Sequence, residues 1–186
     1  MSTDAIVLLK EDHKEIRKLF REFRGADDDD EEKGRIVGRI IELLTVHTYI
    51  ENEGMYPEVR SLLPDLESDI LESFEEHHVA DVLVMELAGM KPGAERFDAK
   101  TTVLIENVEH HIEEEEEEWF PKVREALGRK KLQEIGARML ELKEKAPPAP
   151  QRSGAPAVRR YGAAAESGRS LRADPSAAPR PARLPW

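Results

Sequence analysis

The sequence of 186 residues contains no cysteine. Disulfide bonds, thiolate metal sites and cysteine nucleophiles are therefore excluded as explanations of its function. Any metal that the protein binds must be held by imidazole and carboxylate groups. This ligand set suits iron, manganese or zinc better than copper(I) or an iron–sulfur cluster.

The sequence also has little that would take it to a membrane. Its first residues, MSTDAIVLLKEDH, lack a basic segment and carry acid close to a short apolar run, which is not the pattern of a signal peptide. No apolar stretch approaches the roughly 18 residues that a membrane span requires. We therefore expect a soluble, cytoplasmic protein with no membrane partner.

Charge is distributed unevenly along the chain. Residues 146–186 contain seven arginines, no lysine and two acids, whereas the whole chain carries a net charge of −11. The tail is thus +5 and residues 1–145 are −16, which argues against nucleic-acid binding by the folded part. Eight of the twelve prolines also fall in 146–186, and we predict that this tail is disordered. A weak contact of its arginines with an anionic partner is the alternative to a purely solvated tail.

Residues 1–145 have apolar side chains at spacings of three and four nearly throughout, which predicts an all-α fold. Glycine, proline and acidic stretches divide this pattern into four long helices and a short fifth. The predicted helices are Thr3–Phe23, Glu32–Val59, Asp65–Ala88, Ala94–Leu127 and Arg129–Lys145. Because short loops join the long helices, we expect an up-down-up-down four-helix bundle over residues 1–128 and an accessory helix over 129–145.

The histidines reveal an internal repeat with an offset of 64 residues. His13 and His47 are 34 residues apart, and so are His77 and His111. The segment HTYIENEGMYP, which starts at His47, aligns with HIEEEEEEWFP, which starts at His111. One helix pair is therefore used twice, and the neighbouring His110 has no histidine counterpart in the first copy.

Helical geometry places one histidine of each long helix on the apolar face, and the second and fourth helices add a glutamate one turn later. The six residues are His13, His47, Glu51, His77, His111 and Glu115. Two buried glutamates without a core lysine or arginine require a cation. Two ions, each with two histidines and sharing both glutamates as bridges, would use every group and follow the two-fold symmetry of the repeat.

These residues resemble the hemerythrin-like, or HHE cation-binding, domain. The resemblance rests on His13, on HTYIE from His47, on His77 and on HIEEE from His111, and it spans about residues 5–125. It implies a four-helix bundle that holds two iron ions in a non-haem centre with carboxylate and oxo- or hydroxo-type bridges. It also implies that the two histidines of each copy ligate one iron and that the two glutamates bridge the ions.

The sequence departs from the oxygen-carrying members of this family in two places. Those members have a second histidine one turn beyond the first on the third helix, where this chain has Asp81. They also use His-x4-Asp on the fourth helix, whereas this chain has His-x3-Glu. Asp81, Glu118, Tyr49 and Tyr56 are additional candidate ligands, although Tyr56 aligns with Phe120, which favours a packing role.

The departures place reversible oxygen carriage in doubt, and the pattern resembles bacterial, especially actinobacterial, members linked to peroxide or nitric oxide chemistry. Three functions remain open. The first is a di-iron enzyme that reduces or disproportionates peroxide, or uses it to oxidise nitric oxide. The second is a module that binds oxygen or nitric oxide reversibly for sensing or storage. The third is a bundle that buffers iron or uses metal only for stability. A ferritin-like site is set aside because it needs two Glu-x-x-His motifs, and only Glu75 with His78 fits.

Overall fold

The computed structural model describes residues 4–149, and every regular element in that range is helical. The predicted disordered tail lies almost wholly outside the described residues. The α-helices are α1 Ala5–Gly25, α2 Asp30–Ile50, α3 Tyr56–Leu62, α4 Glu67–Ala88, α5 Phe97–Glu114 and α6 Phe120–Lys143. Two π-helical segments, Glu51–Met55 and Glu115–Trp119, join α2 to α3 and α5 to α6, and a 3₁₀ turn, Pro64–Leu66, precedes α4. The predicted all-α class is confirmed.

Acidic side chains explain where the first two helices begin. The Asp4 carboxylate accepts a hydrogen bond from the Val7 backbone N–H at 3.2 Å. The Asp29 carboxylate does the same for the Glu32 backbone N–H at 3.0 Å. Residues 30–32 are all acidic and lie in the first turn of α2, at the positive end of the helix dipole. The predicted start of the second helix at Glu32 is therefore two residues late.

Two clusters of buried side chains show the direction of the four long helices. The chain passes from the first cluster to the second in α1 and α4, and from the second to the first in α2 and in α5 with its π segment. The pairs that mark these passages are Leu9–Ile16, Leu44–Ile50, Phe74–Ala80 and Val108–Trp119. This alternation is the predicted up-down-up-down four-helix bundle.

Helix α6 is interrupted at Gly128, whose φ of 68° and ψ of 173° are not helical. A positive φ suits glycine because it has no Cβ. The chain therefore turns where the sequence predicted one helix to end and the next to start. The part of α6 beyond Gly128 packs on the first π segment, where a Cβ at Gly54 would lie only 2.8 Å from Met139 Cγ. No helix among residues 4–149 is long and apolar enough to cross a membrane.

Candidate metal centre

The six side chains that the sequence singled out lie together in the interior of the bundle, where each ligand-bearing helix passes between the two core clusters. Each of them is at most 4% exposed, which is unusual for charged and titratable groups. They are His13 from α1, His47 from α2, Glu51 from the first π segment, His77 from α4, His111 from α5 and Glu115 from the second π segment.

The two π segments occupy equivalent positions of the repeat, and each begins at one of these glutamates. The backbone N–H of Tyr56 donates to the carbonyl of Glu51, five residues earlier, and Phe120 donates to Glu115 in the same way. A proline lies two residues beyond each segment. Because a proline ring clashes with the carbonyl four residues before it, a widened turn at this point relieves the helix. The sequence analysis expected uninterrupted α-helix here and missed both segments.

Each glutamate reaches one histidine from each copy of the repeat. Through its Oε2 atom it approaches the Nε2 atoms of two rings that belong to different helices. The four distances are Glu51 to His47 3.2 Å, Glu51 to His77 3.3 Å, Glu115 to His13 3.1 Å and Glu115 to His111 3.7 Å. Both carboxylates therefore lie between the two copies of the repeat.

Most of the atoms that face one another across the centre form no hydrogen bond. His13 Nε2, His47 Nε2, both carboxylate oxygens of Glu51 and Oε2 of Glu115 are buried without a hydrogen-bond partner among the described residues. Buried polar atoms left unpaired in this way are costly and call for an explanation. Imidazole nitrogens and carboxylate oxygens that converge on a common point fit a divalent metal ion.

The six residues of the centre supply two of the three groups of described residues in which every pair of potential ligand atoms is at most 4.8 Å apart, and the third, Glu76, His110 and Glu114, is not fully buried. The two groups of the centre are fully buried, and they share Glu51. The first group is His13, His47, Glu51 and Glu115, and the second is Glu51, His77 and His111. The histidines thus divide into the same two pairs that the repeat defines.

The outer nitrogen of each histidine ring, Nδ1, faces an oxygen atom. Three of these contacts are hydrogen bonds, and the fourth, between His47 and Asp12, is longer at 3.9 Å. The hydrogen bonds join His13 to Glu116 at 2.8 Å, His77 to Asn52 at 2.8 Å and His111 to Glu76 at 2.7 Å. Such contacts hold an imidazole in one orientation with its other nitrogen directed at a metal.

The four outer partners also obey the repeat, although the sequence analysis did not identify them as a set. The 64-residue offset relates Asp12 to Glu76 and Asn52 to Glu116. The first pair immediately precedes His13 and His77, and the second immediately follows the two bridging glutamates. Their positions next to the inner residues were the signal that could have revealed them.

Burial and mutual charge make this cluster unfavourable without a cation. Burial lowers the pKa of His77 well below its usual value, with a further contribution from His111, so the ring is neutral and able to ligate. Burial and the charge of Glu115 raise the pKa of Glu51 well above its usual value. Burial acts in the same direction on Glu115, but the charges of His111 and His13 outweigh it and lower the pKa. The two carboxylates therefore do not ionise together unless a positive charge joins them.

A model of the hemerythrin HHE cation-binding domain family matches residues 4–123, which is more than half of the chain. This range includes the four histidines and two glutamates of the centre. The chain belongs to the hemerythrin HHE family. It is also 27% identical over 138 residues to a protein of Nostoc sp. (strain PCC 7120 / SAG 25.82 / UTEX 2576) named DNA nickase. That match covers 74% of this chain but only 38% of the relative. A search of solved structures gave no match.

Within this hemerythrin domain, Tyr56 has both a packing contact and a polar contact. Its ring stacks on His77 with centroids 5.3 Å apart, as its repeat counterpart Phe120 stacks on His13 at 6.0 Å. Its hydroxyl also donates to Glu115 Oε1 at 2.8 Å and lies 3.4 Å from Nε2 of both histidines in the second copy. Tyr56 is therefore the additional candidate that the structure brings to the centre.

The other additional candidates lie elsewhere in the hemerythrin domain. Asp81 is buried but belongs to neither buried ligand group. Glu118 is exposed, and Tyr49 is partly buried against the first core cluster. His110 is also separate from the centre, because its side chain is 64% exposed and its nearest charged partner is Glu114.

A small cavity adjoins the centre on the side of the second core cluster. The rings of His47, His77 and His111 form one wall, and apolar side chains, including Leu44 and Val108, form another. Its volume is about 10 Å³, which is room for about one water-sized molecule. The hemerythrin centre is thus next to a space that suits a very small ligand.

Proposed function

We propose that this hemerythrin-family protein holds two iron ions and acts on small oxidants, either by catalase-like breakdown of peroxide or by its use to oxidise nitric oxide. The observation that supports this most directly is the buried set of converging, unpaired ligand atoms beside a water-sized cavity. Metal binding follows from the family and the donor set. The identity of the metal as iron and the reaction with small oxidants are the proposed steps.

Each iron would be held by the histidines of one copy of the repeat, with both glutamates shared between the ions. The ligands would be His13 and His47 for one ion, His77 and His111 for the other, and Glu51 and Glu115 as bridges. The Tyr56 hydroxyl lies within reach of the second pair, where it would act as a hydrogen-bond donor and not as a ligand. Iron at this position would supply Lewis acidity and electrons to a bound oxidant.

The protein's own contribution is to hold the imidazoles in place within a buried centre. Glu116, Asn52 and Glu76 accept the Nδ1–H hydrogen of three ligand rings and so direct Nε2 inwards. The Tyr56 phenol stays protonated, because burial and the charges of Glu115 and Glu51 raise its pKa well above its usual value. It therefore offers a fixed O–H donor beside the bridging Glu115.

The size of the cavity supports a substrate of two to four atoms rather than an organic molecule. A volume of about 10 Å³ admits a ligand near the size of water after small side-chain movements. The name of the Nostoc relative describes that whole protein, and we do not propose that this chain acts on DNA. Residues 1–145 carry a net charge of −16, which would repel a nucleic acid.

Metal analysis and two reactivity assays test the proposal. Protein expressed in iron-rich medium should contain two irons per chain and show near-ultraviolet absorption of a bridged ferric pair. The iron-loaded protein should evolve oxygen from peroxide or oxidise nitric oxide with it, and a Glu51→Ala variant should do neither. Glu53→Ala, an exposed change in the same π segment, is the matched control and should behave as wild type.

Two results would contradict this assignment. One zinc per chain, or no metal, would refute the di-iron centre. An iron-loaded protein that is inert towards both substrates would refute the enzymatic function, and an oxygen titration would then test reversible binding.

A further inference from the structure

Asn107 is a polar residue at the cavity that the metal centre does not use. It lies on α5, one helical turn before His111, and lines the cavity together with the three ligand rings. Its Oδ1 atom is buried and has no hydrogen-bond partner among the described residues. A buried carbonyl oxygen without a hydrogen-bond partner is unfavourable, because it has lost its contact with water. A bound molecule that donates a hydrogen bond to this oxygen would stabilise it.

The repeat shows that an asparagine is not needed here for packing. The 64-residue offset relates Asn107 to Leu43, which is partly buried and packs against the second core cluster. An apolar side chain therefore serves the equivalent position of the other copy. The asparagine departs from the repeat on the side of the centre where this cavity lies.

Asn107 is also not one of the residues that orient the ligands. The outer nitrogens of the four histidines face Glu116, Asp12, Asn52 and Glu76. Asn107 lines the cavity, and its oxygen is therefore not engaged by any of these rings. This oxygen can only accept a hydrogen bond, and this restricts the ligands that it can favour.

We propose that Asn107 is a positioning residue that accepts a hydrogen bond from hydrogen peroxide bound in the cavity beside His77 and His111. This inference rests on the proposed function and selects between its two substrates. Peroxide carries O–H donors, whereas nitric oxide has none, so Asn107 favours peroxide. The cavity has room for about one water-sized molecule, so either ligand would enter it only after small side-chain movements.

Two measurements on the full-length, iron-loaded protein separate the two ligands. The reduced protein is mixed rapidly with excess peroxide, and the rise in near-ultraviolet absorbance reports oxidation of the iron. In that step one peroxide, two ferrous ions and two protons give two ferric ions and two waters. The peroxide concentration that gives half of the maximal rate measures how well the protein binds and reacts with peroxide. Where no saturation is reached, the second-order rate constant takes its place. An equilibrium titration of the reduced protein gives the dissociation constant of nitric oxide, which has no hydrogen-bond donor.

The variants are Asn107→Leu, which copies the other repeat, and Asn107→Ala, which enlarges the cavity. Both should weaken the response to peroxide by roughly threefold to tenfold, the effect of one lost hydrogen bond, and leave nitric oxide binding unchanged. Both should retain two irons per chain. Glu106→Gln, an exposed neighbour on α5, is the control and should match wild type in every measurement.

Several results would overturn the inference. An unchanged peroxide response in Asn107→Ala would show that the hydrogen bond is absent, and an equal loss for nitric oxide would show a general effect of packing. Loss of iron from both variants would make Asn107 a structural residue. If the wild-type protein holds no iron or does not react with peroxide, the proposed function is overturned as well. If the wild type binds iron and reacts with peroxide and the Asn107 variants do the same equally well, this inference alone is overturned.

Discussion

Replacing Glu51 with glutamine should stabilise the metal-free protein and abolish its iron binding. Glu51 has no exposed surface, and its charged neighbours are histidines and a second buried glutamate, with no lysine or arginine paired to it among the described residues. Without metal, its negative charge is therefore poorly compensated. Glutamine has nearly the same shape but needs no counter-ion.

The gain should be about 1–4 kcal/mol, taken from the range for replacement of whole buried ion pairs by neutral side chains of similar volume. For a domain of this length, each kcal/mol corresponds to roughly 2–4 °C in melting temperature. We therefore expect the metal-free Glu51→Gln protein to melt about 4–8 °C above wild type at pH 7.5, if the gain is near 2 kcal/mol. With iron bound, the order should reverse, because only wild type gains the free energy of metal binding.

The pH dependence gives this prediction a second, independent test. The pKa of Glu51 is raised above its usual value of 4.5 by burial and by Glu115. Wild type therefore has its full stability from this group below pH 4.5 and loses it as the pH rises through the raised pKa. The advantage of Glu51→Gln should shrink on acidification, because the wild-type carboxyl becomes neutral too.

Thermal unfolding of chelator-treated protein, followed by circular dichroism between pH 4.5 and 8, measures both effects. Glu53→Gln, an exposed change two residues away, is the control and should differ from wild type by less than about 0.5 kcal/mol. The reasoning would be refuted if metal-free Glu51→Gln melted at or below wild type at pH 7.5, or if its advantage grew in acid.

Three further predictions concern the ligands and their surroundings. His111→Ala should lose iron by metal analysis while His110→Ala keeps it, and equal losses would show that the register of the repeat is wrong. Glu116→Ala should weaken iron binding about 10- to 100-fold in chelator competition, because the contact with the first histidine is lost, whereas the exposed Glu117→Ala should not. Tyr56→Phe should retain both irons and lower the free energy of unfolding in urea by about 1.5–3 kcal/mol, the worth of a hydrogen bond to a charged group. An unchanged free energy would show that this bond contributes nothing.

The inner residues could be predicted from the sequence because the repeat removed the ambiguity of each local motif. Six consecutive glutamates at 113–118 are locally indistinguishable, and comparison with the first copy, together with the helical spacing from His111, favoured Glu115 and kept Glu118 as an additional candidate. The structure directs the Glu115 side chain into the interior and leaves Glu117 and Glu118 exposed. Long helices with a clear apolar period were predictable for the same reason, since both signals repeat along the chain.

The π segments and the outer partners could not be predicted, because they depend on small rotations of the helices. A pattern of period 3.6 does not reveal a single turn with a longer hydrogen bond. That extra residue changes the direction of everything after Glu51 and Glu115, including Asn52 and Glu116. Tyr56 was assigned to packing on the strength of Phe120, and the repeat could not show that its hydroxyl reaches the centre.

The departures from the repeat give the two buried ligand groups different surroundings. The groups themselves already differ, because the first holds both glutamates and the second holds Glu51 alone. Three replacements distinguish their surroundings, and all three affect the His77–His111 side. Asn52 replaces a carboxylate partner with an amide, Tyr56 adds a hydroxyl to a phenyl ring, and Asn107 replaces leucine at the cavity. An imidazole with a carboxylate partner is the stronger electron donor, so the His13 side is the more strongly donating of the two. Asn107 lines the cavity, and the hydroxyl of Tyr56 lies beside the rings of His77 and His111.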